Sequence, residues 1–511
     1  MLDSLGTRIV GGIHRRAFGL PPRRNAYTVE RGLLVPVRDG AQLVTDHYAP
    51  VGPANGTVLI RSPYGRGLPE SLLHGRMLAE RGYHVVIQSV RGTGGSTGPF
   101  RPIAQETADA QDAVAWLRTQ SWFTGTLATL GGSYLGWTQW ALLQDPPAEL
   151  RAAVVIVGPH DFSRAIHGSG GLALADFLGW SAAIEAPGPV AMMAARRRVA
   201  AALRESTPAK AAAAALGTGD APWFADWLDH DNLDDPYWQP YNAGSALRDG
   251  KVPVLLIGGW HDVFIDQTLE QYRSLSKVAL TVGPWTHLDT AAKASKVADT
   301  EALAWFDQHL AGIGPAREAP VRIHVTGAGQ WRSMPWWPPV TRDLVLALDA
   351  SARLTDSATG GGIVEFSYDP VDPTPAVGGR HMSTGAGRKD NRRLEARDDV
   401  VVFTSDPLEH DLEVLGPPRL RLAVDGAPVF VRLCDVDRRG RSWNVTESFG
   451  SATEFELGSC AHRFRAGHRL RLQVSGGAYP RYARNTKEIR YTIDCAGSAL
   501  TVPVAVTPSP E

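Results

Sequence analysis

The feature that most constrains the fold is a regular alternation of strand-like and helix-like segments from residue 26 to about residue 158. The apolar runs TVLIRS, YHVVIQSV and TLATL have the character of strands, and SLLHGRMLAERG and ETADAQDAVAWLRTQ between them have helical spacing. An order of strand, helix and strand predicts a parallel sheet with helices on its faces. Such sheets carry their reactive loops at the carboxyl ends of the strands.

The rest of the chain divides into three further parts. Residues 160 to 248 are rich in alanine, arginine and tryptophan with helical periodicity, which predicts an inserted cap. The sheet pattern then resumes with KVPVLLIGGWHD and KVALTVGPWTH. From Pro320 onward, short alternating runs such as VRIHVTG and RLRLAVDG predict an all-β sandwich. We therefore expect an α/β domain in two parts (1–159 and 249–315), a helical cap (160–248) and a C-terminal jelly-roll domain (316–511).

Charge and composition exclude several classes of partner. The 511 residues include 52 Lys and Arg against 53 Asp and Glu, so long-range attraction favours neither nucleic acid nor an anionic membrane. Three widely spaced cysteines, Cys434, Cys460 and Cys495, argue against a disulfide framework or a zinc site. The N-terminal stretch lacks a signal-peptide pattern, and no apolar run reaches membrane-spanning length. The expected location is the cytoplasm.

A single serine stands where the TLATL strand ends. In GGSYLG, Ser133 follows two glycines and precedes the helical run YLGWTQWALLQ. A serine on such a turn exposes its hydroxyl above the sheet, close to helix N–H groups that can stabilise an oxyanion. The usual nucleophile elbow has glycine two residues after the serine, but Leu135 stands there and glycine follows at Gly136. A tight structural turn is therefore the alternative to a nucleophile.

Two later strand ends carry an acid and a base in the order that a nucleophile elbow requires. Asp262 follows VPVLLIGGW, and His287 follows VALTVGPWT. Because the carboxyl ends of parallel strands meet at one edge of a sheet, we expect both side chains near Ser133. A neutral serine hydroxyl is a poor nucleophile, so His287 must take its proton while Asp262 orients the imidazole and stabilises the imidazolium.

Each of these residues also has a structural alternative. Asp262 could cap the following helix, and His287 could hydrogen-bond a carbonyl at the strand end. His261 is a rival base, although choosing it would leave the later loop unused. Asp266 is a rival acid, but it lies inside the next helical pattern. The joint order of serine, aspartate and histidine favours the triad.

The motifs resemble those of the cocaine esterase-like, or X-Pro dipeptidyl-peptidase-like, α/β-hydrolases, which include the α-amino-acid ester hydrolases. The resemblance covers nearly the whole chain and rests on RSPYGRG, VRGTGGSTGPF, GGSYLGW, GGWHDVF, GPWTH, WFDQHLAG and AGHRLRLQVSGGAYPRYARN. It implies an α/β-hydrolase sheet with a helical cap and a C-terminal jelly roll. Similar enzymes have G-x-S-Y-x-G, G-W-x-D-x-F and G-P-W-x-H, which match Ser133, Asp262 and His287, so the displaced glycine is a family feature.

The resemblance also implies an oxyanion hole. In similar enzymes a tyrosine in the loop after an early strand, here Tyr64, adds its hydroxyl to the backbone N–H of the residue after the nucleophile, here Tyr134. A phenol and a backbone donor can share the charge on a carbonyl oxygen. A packed tyrosine is the alternative. Relatives often have an aspartate before the next R-G, whereas this chain has Ser89-Val90 before Arg91, which leaves the anchor of that loop open.

Several tryptophans surround these motifs. Trp137, Trp180 and Trp260 are candidates for a substrate pocket, because aromatic faces suit an apolar or aromatic acyl group. Packing in the core is the alternative for each of them.

Together these features predict a serine hydrolase that cleaves carboxylic esters of small acyl groups through an acyl-enzyme, without a cofactor or metal. An X-Pro dipeptidyl-peptidase, or another amide or amino-acid ester hydrolase, is the second interpretation. A catalytically silent protein that binds a ligand through its jelly roll is the third. The expected partner is a small-molecule ester or amide, and a homodimer is one assembly that the sequence allows.

Overall fold

The computed structural model describes Arg16, Leu20 and residues 22–68, 70–168, 170–186, 188–217, 221–356 and 361–506. The N-terminal stretch to residue 15, which the signal-peptide argument concerned, lies outside these ranges. Within them, no helix combines the length and the apolar character that crossing a bilayer requires.

A sheet of ten strands, counted over the described residues, forms the frame of the first half of the chain. The strands are β1 (Tyr27–Pro36), β2 (Gln42–Pro50), β3 (Thr57–Ser62), β4 (His84–Ser89), β5 (Leu127–Gly132), β6 (Leu150–Ile156), β7 (Val254–His261), β8 (Val278–Thr286), β9 (Val321–Val325) and β10 (Gln330–Met334). Their order is β1-β2-β4-β3-β5-β6-β7-β8-β9-β10, and the strands from β4 to β9 run parallel. Every residue of β3, β4 and β7 is buried, as expected for strands covered on both faces.

Helices connect these strands and also form the cap. They are a π-helical segment (Ser71–Arg76) that continues into α1 (Met77–Ala79), then α2 (Glu106–Arg118), α3 (Tyr134–Leu143), α4 (Phe162–Ile166), α5 (Leu174–Ile184), α6 (Gly188–Ala202), α7 (Pro208–Leu216), α8 (Pro222–Asp229), α9 (Ala246–Asp249), α10 (Ile265–Ser274), α11 (His287–Thr290) and α12 (Ser295–His309). The helices α4 to α9 and a 3₁₀ turn (Pro236–Tyr241) lie between β6 and β7. The predicted α/β sheet with an inserted helical cap is therefore confirmed.

The C-terminal part is all β, as predicted. Its strands are β11 (Thr341–Asp349), β12 (Arg353–Thr355), β13 (Ile363–Tyr368), β14 (Val400–Thr404), β15 (Leu412–Gly416), β16 (Arg419–Asp425), β17 (Val429–Val436), β18 (Ser442–Gly450), β19 (Glu454–Glu456), β20 (Cys460–Phe464), β21 (Arg469–Ser475) and β22 (Ile489–Ala505). The long strand β22 pairs with β11, β13, β15 and β16. Cys434, Cys460 and Cys495 are buried here as free thiols.

One run of sequence joins a different sheet from the one that its pattern suggested. The VRIHVTG segment shares the alternating character of the C-terminal strands, but its strand β9 pairs in parallel with β8, and β10 then pairs with β9. The alternate burial along β9 fits a strand near the end of either sheet. Period-two patterning shows which side chains point inward and leaves the partner strand undetermined.

A buried arginine joins the C-terminal domain to the α/β domain. Arg380 donates to the carbonyl of Trp260 at 3.2 Å and to the carboxylate of Asp266 at 3.1 Å. On its own side it donates to the carbonyl of Ser459 at 2.8 Å, and its backbone N–H donates to Glu447 at 2.8 Å. The arginine is 4 % exposed, so these bonds satisfy a cation that has little water around it.

Candidate active site

Ser133 lies on a strained corner between β5 and α3. Its backbone angles are φ 57° and ψ −120°, and a residue with a Cβ takes a positive φ of this kind only where the surrounding structure enforces it. The Ser133 N–H donates to the carbonyl of Ile156 on the neighbouring strand β6 at 2.9 Å. This is the geometry of a nucleophile elbow, in which the serine side chain stands above the sheet.

The displaced glycine has a steric cause. A Cβ on Gly136 would lie 2.6 Å from the Cα of Gly158, beyond the end of β6, so α3 contacts the sheet layer at this position. A Cβ on Gly131 would lie 2.4 Å from the Cβ of Leu135. Leu135 therefore fits because Gly131 makes room for it, and the glycine required for close packing falls one residue later than in the usual pattern.

The structure brings the serine, histidine and aspartate of the predicted triad into one hydrogen-bonded row. Nε2 of His287 lies 2.9 Å from Oγ of Ser133, and Nδ1 of His287 lies 2.6 Å from Oδ1 of Asp262. Asp262 is completely buried, and its second oxygen accepts the N–H of Phe264 at 3.0 Å. With a proton on Nδ1 directed at Asp262, Nε2 is free to accept the serine proton.

Two further contacts fix the imidazole. His287 is the first residue of α11, where Thr286 and Asp289 form a reciprocal capping box with two hydrogen bonds of 3.2 Å. The ring of Phe264 packs edge-on against the imidazole, with 5.3 Å between ring centroids. The backbone that carries His287 and the face of its ring are therefore both held.

The rival acid and base have other surroundings. Asp266 forms an ion pair with Arg380 at the domain junction. Burial lowers the pKa of His261 to about 4, and the charge of Arg380 acts in the same direction, so this imidazole is neutral at physiological pH. The capping alternative for Asp262 is wrong, because the N-cap of α10 is Phe264 and no side chain caps this helix. The Asp262 carboxylate contacts the N–H of Phe264 and the imidazole of His287.

The loop that carries Tyr64 follows β3, the neighbour of β5 in the sheet. Arg66 anchors this loop by donating to Oγ of Ser89 at 2.5 Å, to the carbonyl of Gly94 at 2.7 Å and to the carboxylate of Asp46 at 3.2 Å. Ser89, which stands before Val90-Arg91, thus takes part in the anchor, and Asp46 on β2 provides the negative charge.

The hydroxyl of Tyr64 has a hydrogen-bond partner although the residue as a whole is 51 % exposed. The indole N–H of Trp180 donates to it at 3.1 Å. Burial around the hydroxyl raises the pKa of Tyr64 to about 12, so the phenol keeps its proton at neutral pH. It is therefore equipped to donate to a developing oxyanion.

Tyr134 is fixed from the opposite side by a buried polar network. Its hydroxyl donates to Glu106 at 2.8 Å and accepts the N–H of Ile103 at 2.9 Å. Glu106 in turn pairs with Arg61 on β3 at 2.9 Å, and both side chains are almost completely buried. As the first residue of α3, Tyr134 carries one of the backbone N–H groups that have no acceptor within the helix. That N–H is thus available as a donor to an oxyanion.

Replacing Tyr64 with phenylalanine should lower kcat by about 10²–10³-fold, because the change removes one donor to the oxyanion and keeps the ring. The measurement is steady-state hydrolysis of a nitrophenyl ester. Tyr237→Phe is the matched control, since it removes a phenol hydroxyl from the cap that bonds only Tyr241 among the described residues, and it should change kcat less than about twofold. An unchanged kcat in the Tyr64 variant would take this tyrosine out of the site.

The three tryptophans that were predicted to line the pocket differ in their burial and in their hydrogen-bond partners. Trp137 and Trp260 are fully buried, and their indole N–H groups donate to the carbonyls of Ile103 at 3.1 Å and of His324 at 2.8 Å. Trp180 alone of the three is half-buried and contacts a residue of the proposed oxyanion hole. We therefore keep Trp180 as the pocket candidate.

Sequence reasoning missed a buried carboxyl group, Asp176. It lies on α5, one helical turn before Trp180; one oxygen accepts the N–H of Met382 at 2.7 Å, and the other has no hydrogen-bond partner among the described residues. Burial raises the pKa of Asp176 to about 6, and the charges of Arg481 and His287 act against that rise. The available signal was an aspartate inside the apolar run LALADFLGW.

Asp176→Asn should stabilise the protein more at pH 8 than at pH 4. The folded-state pKa is raised above the ordinary value, so the protonated form favours folding at low pH, and that benefit disappears as the pH rises from about 4 through 6. The variant does not titrate here, so its stability relative to the parent should rise by roughly 2–3 kcal/mol across that range. Unfolding midpoints at both pH values test this. The exposed Asp226→Asn is the control, and a pH-independent difference for Asp176→Asn would contradict the prediction.

Comparisons with protein families match both halves of the chain. Residues 39–289 match the X-Pro dipeptidyl-peptidase (S15 family), and residues 314–502 match the X-Pro dipeptidyl-peptidase C-terminal non-catalytic domain. The chain is 30 % identical to the cocaine esterase of Rhodococcus sp. (strain MB1 Bresler), an alignment that covers 90 % of this chain and 92 % of that protein.

Solved structures share the fold over almost the whole length. An aminopeptidase from a marine sediment archaeon, a Thaumarchaeota archaeon, superposes with a TM-score of 0.79 at 21 % identity, covering 95 % of this chain and 98 % of its own. An α-amino acid ester hydrolase superposes with a TM-score of 0.77, also at 21 % identity, covering 94 % and 97 %. The combination of α/β sheet, cap and all-β domain is thus common to these proteins.

Proposed function

This chain belongs to the family of X-Pro dipeptidyl-peptidase-like (S15) and cocaine esterase-like serine hydrolases, and we propose that it hydrolyses carboxylic esters of small acyl groups with Ser133, His287 and Asp262 as its triad. The observation that carries the proposal is the row of 2.9 Å and 2.6 Å contacts from the serine hydroxyl through the imidazole to a buried carboxylate. The 30 % identity to a cocaine esterase favours an ester as the scissile bond.

Acylation begins when the Ser133 oxygen attacks the ester carbonyl carbon and its proton passes to Nε2 of His287. The carbonyl oxygen becomes an oxyanion, which the Tyr64 hydroxyl and the Tyr134 N–H stabilise. Asp262 stabilises the imidazolium that forms, since its Oδ1 faces Nδ1. Collapse of this intermediate transfers the Nε2 proton to the leaving alcohol and leaves the acyl group on Ser133.

Deacylation repeats these steps with water as the nucleophile. His287 removes a proton from water as the water oxygen attacks the acyl carbon, and the same two donors hold the second oxyanion. Return of the proton to Ser133 releases the carboxylic acid. In both half-reactions the neutral imidazole carries its proton on Nδ1, and the Asp262 contact maintains that tautomer.

Amide hydrolysis is the second candidate, and two observations favour it. The family model describes X-Pro dipeptidyl-peptidases, and Asp176 places an incompletely satisfied buried carboxyl one helical turn from Trp180, where a substrate amine would find a counter-charge. The chain is a serine hydrolase, so the third interpretation, a silent ligand-binding protein, is no longer needed.

A fluorophosphonate probe tests the enzyme and its nucleophile together. The native chain should be labelled, and the Ser133→Ala variant and the heat-denatured chain should not be. Nitrophenyl esters of increasing acyl size, compared with Gly-Pro and Ala-Pro anilides, then separate the two candidates. Higher kcat/KM for the esters supports the proposal, whereas higher kcat/KM for the anilides assigns the chain to the peptidases.

Location and assembly stay predictions from the sequence. Buried free thiols at Cys434, Cys460 and Cys495 suit a reducing cytoplasm. A homodimer is the assembly we propose to test, by light scattering after size-exclusion chromatography. Cell fractionation tests the location.

A further inference from the structure

Trp180 of the cap contacts both residues of the proposed oxyanion hole. Its indole N–H donates to the hydroxyl of Tyr64 at 3.1 Å. Its ring stacks on the ring of Tyr134, with 6.1 Å between centroids and 13° between planes. One side chain from α5 therefore links the loop after β3 to the residue that follows the nucleophile.

The two partners of Trp180 differ in how firmly they are otherwise held. Tyr134 is buried, and its hydroxyl bonds Glu106 and Ile103. Tyr64 is half exposed, and Trp180 is the one hydrogen-bond partner of its hydroxyl among the described residues. The position of the Tyr64 hydroxyl thus depends on its contact with Trp180.

Trp180 is itself fixed within an aromatic cluster. The buried Trp227 stacks on it with centroids 6.2 Å apart and planes 29° apart, and the buried Trp223 packs at 6.3 Å in a tilted arrangement. Together with Tyr134, these rings restrain the indole plane, and with it the direction of the N–H. Trp180 therefore holds the Tyr64 hydroxyl at a fixed position relative to Tyr134.

The direction of this hydrogen bond suits catalysis. The phenol oxygen accepts from the indole, so its own proton stays available for a substrate oxygen. An N–H bonded to a phenol oxygen also polarises the O–H and makes it a stronger donor. In keeping with this, the Trp180 contact opposes the rise that burial causes in the pKa of Tyr64.

We propose that Trp180 is a positioning residue, which directs the Tyr64 hydroxyl toward the oxyanion so that the cap helix α5 completes the oxyanion hole. The inference rests on the proposed function of Tyr64. It differs from the sequence-based expectation, in which Trp180 contributes an apolar face to the acyl pocket. In the proposed role, Trp180 acts through the hydrogen bond that its Nε1–H donates.

A double-mutant cycle on a small substrate, 4-nitrophenyl acetate, separates the two roles. Trp180→Phe should lower kcat by about 5- to 20-fold with KM changed less than twofold, because a positioning contact acts on the transition state. In the Tyr64→Phe background the same change should cost less than twofold, because the hydroxyl that Trp180 directs is already absent. Equal losses in both backgrounds would overturn the proposal.

A second variant tests whether the loss in Trp180→Phe comes from the missing N–H or from the smaller ring. Substituting Trp180 with 3-benzothienylalanine keeps a bicyclic aromatic ring but replaces the N–H with sulfur, and it should show the same loss and the same dependence on Tyr64. Full kcat in this variant would overturn the proposal. Trp238→Phe is the control in the cap: its N–H donates to the carbonyl of His230 at 3.0 Å, and kcat should change less than twofold.

Failure of the underlying function gives a different pattern. If native protein neither reacts with the fluorophosphonate probe nor hydrolyses the ester, the proposed function is wrong, and the inference falls with it. If native protein is active but Tyr64→Phe is equally active, the oxyanion role of Tyr64 is wrong. If Tyr64→Phe is slow and Trp180→Phe is as fast as native protein, the positioning role alone is wrong.

Discussion

Glutamine in place of His287 should lower kcat for ester hydrolysis by about 10⁴- to 10⁶-fold. The imidazole is the base that takes the Ser133 proton across 2.9 Å, and an amide side chain is not basic enough to take that proton. A hydroxyl that keeps its proton is a weak nucleophile, so only binding and the oxyanion donors would remain to accelerate the reaction. Single-turnover hydrolysis with enzyme in excess measures the residual rate.

His261→Gln is the matched control for this experiment. His261 is the last residue of β7 and directly precedes Asp262, so it is the nearest alternative base in the sequence. Its pKa is lowered to about 4, and we expect less than a threefold change in kcat on its replacement. If His261→Gln abolished activity while His287→Gln retained it, the assignment of the base would be reversed.

Asparagine in place of Asp262 should lower kcat by about 10⁴-fold. The variant can keep its oxygen on the N–H of Phe264, where Asp262 now accepts at 3.0 Å, and this places the amide NH₂ against Nδ1 of His287. Nδ1 would then accept a hydrogen bond, and the proton would move to Nε2, where it blocks transfer from Ser133. The expected loss therefore comes from the wrong tautomer, with the fold intact.

Thermal unfolding of Asp262→Asn, measured together with its kcat, tests whether the fold of the variant is intact. Asp266→Asn is the control: it removes a carboxylate four residues further on, whose side chain is 63 % exposed and pairs with Arg380, and kcat should fall less than about threefold. A loss below tenfold in Asp262→Asn with native stability would show that this carboxylate does not set the tautomer.

The main features of the fold and the row of three residues at its centre follow from local patterns. Alternating apolar strands and helices predict a parallel sheet, and a parallel sheet brings the residues after β5, β7 and β8 to one edge. Ser133, Asp262 and His287 could be placed together for that reason, although 129 positions separate the first two in the sequence and their contacts depend on tertiary packing.

Other features depend on packing that a pattern does not determine. Trp137, Trp180 and Trp260 are equivalent in the sequence, but two lie inside the core and one bonds Tyr64. The alternating run of β9 fits either sheet, and only its pairing with β8 shows to which sheet it belongs. Asp176 is the one charged residue in a mostly apolar helix, and its role depends on which segments of the C-terminal domain cover it.

The arginine at the domain junction limits which truncated or chimeric forms of this enzyme should fold correctly. Arg380 bonds the carbonyl of Trp260 and the carboxylate of Asp266, the residues on either side of the loop that presents Asp262. A hydrolase truncated after the α/β sheet would lose that brace, and a chimera that took its second half from a relative would need a cation at the same point. The C-terminal half thus supports the strand that leads into the catalytic loop, and recombination between such proteins should succeed more often where an arginine that bonds the Trp260 carbonyl is inherited.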